Sequence, residues 1–170
     1  MTQLSSTGTT LEFADVEVAD KLRLRLIASP AGLQRLEFSP QDSDELSRNE
    51  GNTLIQEAVR QLRAYFDREL RRFDLPLDLQ GTSFQLRVWS QLHTIPFGET
   101  RSYLDIASAI GSPAAVRAVG AANGANPVAI IVPCHRVIGS NGKLVGYGGG
   151  LPLKKRLLEL EGATTLGLFR

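Results

Sequence analysis

Cysteine is nearly absent from this chain of 170 residues; there is one, Cys134. A lone cysteine cannot close an internal disulfide, so nothing ties the chain to an oxidising compartment. With only two histidines, His93 and His135, the chain also has too few soft ligands for a structural zinc site of its own. Long apolar runs are missing as well. None approaches the roughly 20 residues needed to cross a bilayer. The first ten residues are polar and rich in Ser and Thr, with neither the basic start nor the apolar core of a secretory signal, and they read as a frayed tail. What is present, 42% hydrophobic and 22% charged residues, is the profile of a soluble globular protein with one ordinary domain or two small ones. These features fit a cytoplasmic location.

The net charge of +1 hides an asymmetry. Up to Ser83 there are 10 Lys/Arg against 14 Asp/Glu, a net of −4; from Phe84 onward there are 9 against 4, a net of +5. Basic charge is concentrated in the second half, where a polyanion would be met.

In the first half, Leu22, Leu24 and Leu26 alternate with Arg23 and Arg25, which predicts a half-buried strand over Lys21 to Ser29. Ser29-Pro30-Ala31-Gly32 is a turn signal, and Leu33 to Phe38 completes a hairpin. Leu11 to Val18 adds a further strand, and Pro40 to Asn52 reads as a polar loop. Leu54, Ile55, Ala58, Val59, Leu62, Tyr65 and Phe66 recur at helical spacing, opposite Glu57, Arg60, Arg63 and Asp67, which predicts an amphipathic helix. Phe73 to Gly81, with Pro76 and no helical period, reads as a linker. Thr82 or Ser83 can cap a helix carrying Phe84, Val88 and Leu92, and His93 near its end reads as a C-terminal cap residue. Ser102 caps another, with Leu104, Ile106, Ala107 and Ile110, closed by Gly111. Ser112-Pro113 is the pattern of an immediate restart, Ser as N-cap and Pro at the first helical position, with the helix running to Ala122. Two helices joined by a tight glycine turn form the helix-turn-helix pattern. The second is almost all Ala, Val and Gly, which suits close approach to a partner or a packed core. Arg117 in its middle is a residue that a buried helix would avoid.

The segment after Asn126-Pro127 carries the chemistry. Val128 to Val132 reads as a short buried strand stopped by Pro133, and Cys134-His135-Arg136 follows. A thiol next to a base and a cation is where a depressed pKa, and hence a nucleophilic thiolate, is expected. The alternative is a core cysteine beside a solvated His-Arg pair.

The run Ile131-Val132-Pro133-Cys134-His135-Arg136-Val137-Ile138 resembles the active-site signature of the O6-alkylguanine-DNA alkyltransferases, also called methylated-DNA–protein-cysteine methyltransferases. Phe97-Gly98-Glu99-Thr100-Arg101-Ser102-Tyr103, Arg117-Ala118-Val119-Gly120 and Asn126-Pro127 resemble that family's helix-turn-helix and asparagine hinge. Gly146-Tyr147-Gly148-Gly149-Gly150-Leu151 and Lys154 to Gly162 resemble its pocket loop and last helix. Order and spacing fit from Phe84 to Gly162.

The resemblance implies an α+β fold. A small N-terminal α/β (ribonuclease-H-like) domain would occupy residues 1–75 and a linker 76–83. A mainly helical, winged-helix-like domain with the helix-turn-helix would occupy 84–170. It implies direct-reversal DNA repair, in which an alkyl group passes irreversibly, once per molecule, from O6-alkylguanine to Cys134. Its partner would be double-stranded DNA carrying that lesion; one subunit suffices, and no membrane or cofactor is needed. By the same resemblance His135 takes the thiol proton through a water, Glu161 orients His135, Asn126 braces the active-site turn, and Tyr103 donates to the base. Arg117 fills the gap left by the flipped nucleotide, with Ala118 beside it on the minor groove. Val137, Tyr147 and Gly148 meet the base. Arg101, Arg136 and Lys143 are candidate phosphate contacts. Gly148 stands where some members carry serine. Some members also bind zinc in the first domain, but this chain has no Cys or His before His93, so no metal is expected.

Three other readings compete. A non-catalytic sensor of alkylated DNA would lack the reactive cysteine. A cysteine hydrolase would place Cys on a glycine-flanked elbow with a distant His, whereas Pro133 and His135 flank Cys134 directly. A helix-turn-helix regulator would bind a preferred operator.

Overall fold

The computed structural model describes residues 10–41 and 46–163; the tail reading for residues 1–9 lies outside them. Three strands form an antiparallel meander: β1 (Glu12–Val18), β2 (Leu22–Ser29) and β3 (Gly32–Phe38). A two-residue β4 (Ser47–Arg48), inside the stretch expected to be loop, pairs parallel to β1, so the sheet order is β3-β2-β1-β4. β2 lies between β3 and β1. It is not half-buried: from Leu24 to Ser29 every residue is buried. Arg25 is held there by a two-pronged ion pair to Asp15 (2.7 and 2.9 Å) and lies 4.4 Å over the Phe13 ring, the pairing a buried charge requires. Helix α1 (Thr53–Phe66), capped by the Asn52 side chain, lays Ile55, Ala58, Leu62, Tyr65 and Phe66 into the core.

The linker stretch is not free. Leu33 N–H donates to Pro76 O (2.8 Å), Asp78 N–H donates to Leu33 O (3.0 Å), and Leu33 bridges Leu77. Helix α2 (Ser83–His93) starts with a Thr82 capping box and α3 (Tyr103–Ala109) with a Ser102 capping box. The restart at Ser112-Pro113 does not occur. Ala115 N–H closes a turn onto Ser112 O (2.9 Å), and α4 begins only at Val116, running to Gly124. Once that turn has taken up the Ser112 carbonyl, Ser112 and Pro113 serve the turn and not a helix N-terminus.

The apolar run Val128–Val132 is buried as expected, but it is not a strand. Val132 N–H returns to Val128 O (2.9 Å), and Ile130 sits at φ +74°, a left-handed conformation costly for a β-branched residue. The chain doubles back and delivers Cys134–Arg136 as one 3₁₀ turn. A two-residue parallel ladder, β5 (Arg101–Ser102) with β6 (Val137–Ile138), and α5 (Leu151–Leu160) complete the fold. The larger apolar core runs from Leu24 and Tyr65 of the sheet part to Trp89, Val119, Ile130 and Leu157 of the helical part. Leu36 N–H of β3 donates to Pro127 O (2.8 Å), which pins the sheet edge to the doubled-back segment. The architecture is therefore mixed α+β, a sheet part followed by a helical part. Among the described residues no helix is long and apolar enough to cross a membrane.

Candidate active site

In a 3₁₀ turn successive side chains diverge by roughly 120°, so Cys134, His135 and Arg136 leave the backbone in three directions. Cys134 lines a cavity of about 280 Å³ with Asn126, Tyr147 and Gly148. A second opening of about 520 Å³, lined by Tyr103, Gly120 and Val145, shares Asn123, Tyr147 and Gly148 with it. Asn126 clamps the turn behind the thiol: its Nδ2 donates to Val132 O (2.8 Å) and its Oδ1 accepts from Val128 N–H (3.0 Å).

His135 is fully buried, and its Nε2 lies 2.7 Å from Glu161 Oε1. Glu161, at the C-terminal cap of α5, is the most heavily bonded side chain of the site. Oε1 also accepts from Tyr65 Oη–H (2.6 Å) and Arg136 Nη2 (2.9 Å), and Oε2 accepts from Arg136 Nε (2.9 Å) and Gly98 N–H (3.2 Å). Burial alone would raise this carboxyl's pKa. The hydrogen bonds of His135 and Arg136 and the Arg136 charge work against burial and hold it at about 2. Glu161 is therefore a carboxylate, bound on both oxygens by the Arg136 guanidinium. Burial, aided by the charges of Arg136 and Lys154, pushes His135 below its ordinary value despite the pull of Glu161. The two statements fit one proton arrangement: neutral imidazole with its proton on Nε2, given to the carboxylate. Nδ1 is then a bare acceptor, and it is buried without a hydrogen-bond partner among the described residues.

The thiol differs from expectation. Burial pushes Cys134 up to about 11, against the smaller lowering influences of Asn126, the Lys154 charge and nearby backbone N–H groups. Adjacency in sequence did not bring the Arg136 charge to the sulfur, because the turn sends that side chain the other way.

Arg136 is also the clearest correction among the phosphate candidates. It is 5% exposed, with Nη1 on Ile95 O (2.5 Å) and the rest of the guanidinium on Glu161, which leaves nothing to offer a phosphate. Arg101 is paired with Glu99 (2.8 Å), and Lys143 is exposed. Arg117 and Ala118 lie exposed on α4. Tyr103 stands at the cavity mouth, its hydroxyl donating to Val145 O (3.2 Å), and the α4 backbone at Gly120 passes close to its ring. Val137 is buried in β6, and Tyr147 turns its hydroxyl inward, where it has no partner among the described residues. A Cβ on Gly148 would meet only Phe38, at 3.9 Å, so a serine would fit there. On Gly149 it would come within 2.5 Å of Leu153.

Three participants were not singled out from sequence. Tyr65 belongs to the helix stripe read as core. Asn123 of α4 points Nδ2 at Cys134 O (3.5 Å). Lys154 is completely buried, with Nζ donating to Val137 O (2.6 Å), Val145 O (2.8 Å) and Gly146 O (3.4 Å); burial brings its pKa down to about 8. A signal existed for Lys154: with Leu157, Leu158 and Glu161 it falls on one helical stripe, positions i, i+3, i+4 and i+7.

Comparison with known proteins identifies the family. Residues 83–163 match the DNA-binding domain of 6-O-methylguanine DNA methyltransferase and residues 23–79 match its ribonuclease-like domain. The methylated-DNA–protein-cysteine methyltransferase of Mycobacterium tuberculosis is 68% identical over 104 residues, 61% of this chain and 63% of that protein. The aligned stretch thus spans just under two thirds of that relative. The Mycobacterium leprae protein of the same name is 61% identical over 121 residues, 69% of this chain and 73% of that protein. The crystal structure of Mycobacterium tuberculosis OGT in complex with DNA superposes with a TM-score of 0.82 at 49% identity, covering 94% of this chain and 99% of that one. The chain belongs to the 6-O-methylguanine DNA methyltransferase family.

Proposed function

We propose that this protein repairs DNA by direct reversal, taking the alkyl group of O6-alkylguanine onto Cys134, and that it is spent by one turnover. The observation that carries the reading is the geometry: a buried thiol, a buried histidine with one ring nitrogen 2.7 Å from a carboxylate, and its other ring nitrogen without a partner among the described residues. A nucleophile, a base and a group that fixes the base are what the reaction needs. The Cys134 proton passes to His135 Nδ1, directly or through a water, and the sulfur forms a bond to the alkyl carbon as the C–O6 bond breaks. The electron pair stays on the guanine, to which the Tyr103 hydroxyl donates once it releases Val145 O. His135 becomes imidazolium beside Glu161, whose charge offsets it. The product is an S-alkylcysteine, and the chain offers no second nucleophilic thiol to remove the group.

A cavity of about 280 Å³ lies just below the common range of ligand pockets, roughly 300 to 1,000 Å³. It suits a nucleobase and not a whole nucleotide, so the base must leave the duplex at a cost of a few kcal/mol. In this reading α3 and α4 act as a helix-turn-helix, and α4 carries Arg117 and Ala118 to the minor groove. The sheet part is a ribonuclease-H-like domain, the helical part a winged-helix-like one, and the protein works in the cytoplasm. Damage must be found in any sequence, so backbone and shape contacts suffice. The DNA complex of the relative supports the choice of partner, and the cysteine in place speaks against a mere sensor.

The test is a transfer assay with duplex DNA bearing a labelled O6-methylguanine, read by peptide mass. One methyl group per wild-type molecule on the Cys134 peptide is expected, and none with Cys134→Ala. Transfer that survives the substitution, or repeated turnover, overturns the reading.

A further inference from the structure

The sheet part of the molecule contributes a buried hydroxyl to the active site. Tyr65, on the last turn of α1, reaches across the boundary between the two parts and donates from Oη to Glu161 Oε1 at 2.6 Å. That oxygen is the one that holds His135 Nε2, and the tyrosine oxygen lies 3.5 Å from the same nitrogen. The residue is completely buried, and its ring is held by Phe66, Phe73 and Phe97 at centroid distances of 5.3 to 6.0 Å. An apolar core residue would need no hydroxyl here. Phenylalanine would fill the same space, whereas a tyrosine must find a partner for its O–H. The partner it finds is the carboxylate that fixes the general base.

We infer that Tyr65 is a positioning residue for the transfer reaction, through which the N-terminal part sets the basicity of His135 by sharing Glu161 Oε1. This rests on the proposed role of His135 as base. A carboxylate oxygen that accepts three donors has little electron density left for any one of them. Withdrawing the tyrosine proton makes Oε1 a better acceptor, strengthens its hold on the Nε2–H and stabilises imidazolium over imidazole. Other groups also face this pair: Arg136 and Cys134 from the active-site turn, Tyr147 from the pocket loop and Lys154 from α5. None of them is altered by a change confined to the Tyr65 hydroxyl. Burial and the Glu161 charge both keep that hydroxyl protonated, so it stays a donor across the working pH range.

The experiment is single-turnover methyl transfer from pH 5 to 9, with wild type and Tyr65→Phe on the same duplex. Loss of the hydroxyl is expected to move the acid limb of the rate profile to higher pH by about half a unit to one unit, which is roughly a three- to tenfold slower transfer one unit below the limb. DNA affinity should stay within about twofold, because the hydroxyl does not reach the DNA-facing surface. Tyr65→Leu, which loses the hydroxyl and the ring together, should show the same shift with a larger fall in melting temperature; a purely structural role would make the rate follow stability and leave the limb in place. A Tyr65→Phe profile that superimposes on wild type, or that is lowered equally at every pH, overturns the inference while leaving the repair reading intact. Absence of transfer to Cys134 in the wild type would instead remove the reading on which it stands.

Discussion

Replacing Arg136 by methionine separates two accounts of one residue. Read from sequence, Arg136 is a cation beside the nucleophile and a candidate phosphate contact. In the fold its guanidinium makes two hydrogen bonds to Glu161 and one to Ile95 O, at 5% exposure. Arg136→Met keeps the stem but leaves the Glu161 carboxylate in the core with His135, Tyr65 and Gly98 as its remaining donors. Removing one partner of a buried ion pair costs about 3 to 5 kcal/mol. At about 2 to 4 °C per kcal/mol for a chain of this size, the melting temperature should fall by on the order of 10 °C. The loss depends on the negative charge, so Arg136→Met introduced into Glu161→Gln should cost less, with a coupling of about 1 to 3 kcal/mol between the sites. The assays are thermal unfolding of the four proteins of the cycle and the salt dependence of duplex binding. For a buried structural arginine the melting temperature drops, the sites couple, and the slope of log affinity against log salt is unchanged. A phosphate contact would give the reverse: a melting temperature within about a degree of wild type, no coupling, and a slope smaller by about one. That second pattern would refute the reasoning.

Two further outcomes follow from the same cluster. Lys154→Met should leave the carbonyls of Val137, Val145 and Gly146 without their shared donor, at on the order of 3 kcal/mol. Amide exchange should then quicken in residues 144–148 and transfer should slow even at saturating DNA; unchanged exchange in that loop would contradict this role. Acid should unfold the protein through Glu161 and His135 acting in the same sense. Glu161, held at about 2 against an ordinary 4.5, contributes about 3 kcal/mol that is whole above pH 4.5 and disappears as pH falls toward 2. His135, pushed below its ordinary 6.5, adds a contribution that is whole above that value and erodes beneath it. Urea unfolding at steps from pH 7 to pH 3 measures this, and a curve as flat as that of Glu161→Gln would show that the carboxylate is not the group responsible.

Much of the fold was legible because local chemistry and tertiary structure agree. Thr82 and Ser102 cap helices as their side chains and downstream Gln85 and Asp105 allow, and the stripe from Ile55 to Phe66 is buried as its period demands. The failures share a cause: a pattern reports burial or turning, not the path of the backbone. Val128 to Val132 is apolar because it is buried, yet Asn126 clamps its two ends and folds it back. Ser112-Pro113 marks a turn as readily as a helix start. Cys134 and His135 stood out in the signature run, whereas Glu161 was singled out only through the family resemblance; the fold brings His135 and Glu161 within 2.7 Å. Tyr65 and Lys154 were not singled out. A buried tyrosine looks like core, and a lysine followed by Lys155 and Arg156 looks like solvated surface until its stripe is drawn.

The thiol value gives the cluster its logic. At about 11, roughly one Cys134 in ten thousand is ionised at neutral pH. If one turnover spends the protein, as proposed above, a stray electrophile or oxidant would cost it everything, and it is the thiolate that those reagents attack. Burial keeps the sulfur protonated in the free protein, so reactivity cannot come from a standing anion. On the proposed repair reading it comes from transfer of the proton to His135 when an alkyl carbon is in line. That places the demand on the base. His135 must be neutral before the reaction, which burial, Arg136 and Lys154 secure, and it must tolerate a charge afterwards, which Glu161 secures. A lower thiol pKa would ease the first step and forfeit the protection. On that reading, the division of labour between a guarded nucleophile and a prepared base accounts for the many donors committed to the Glu161 carboxylate.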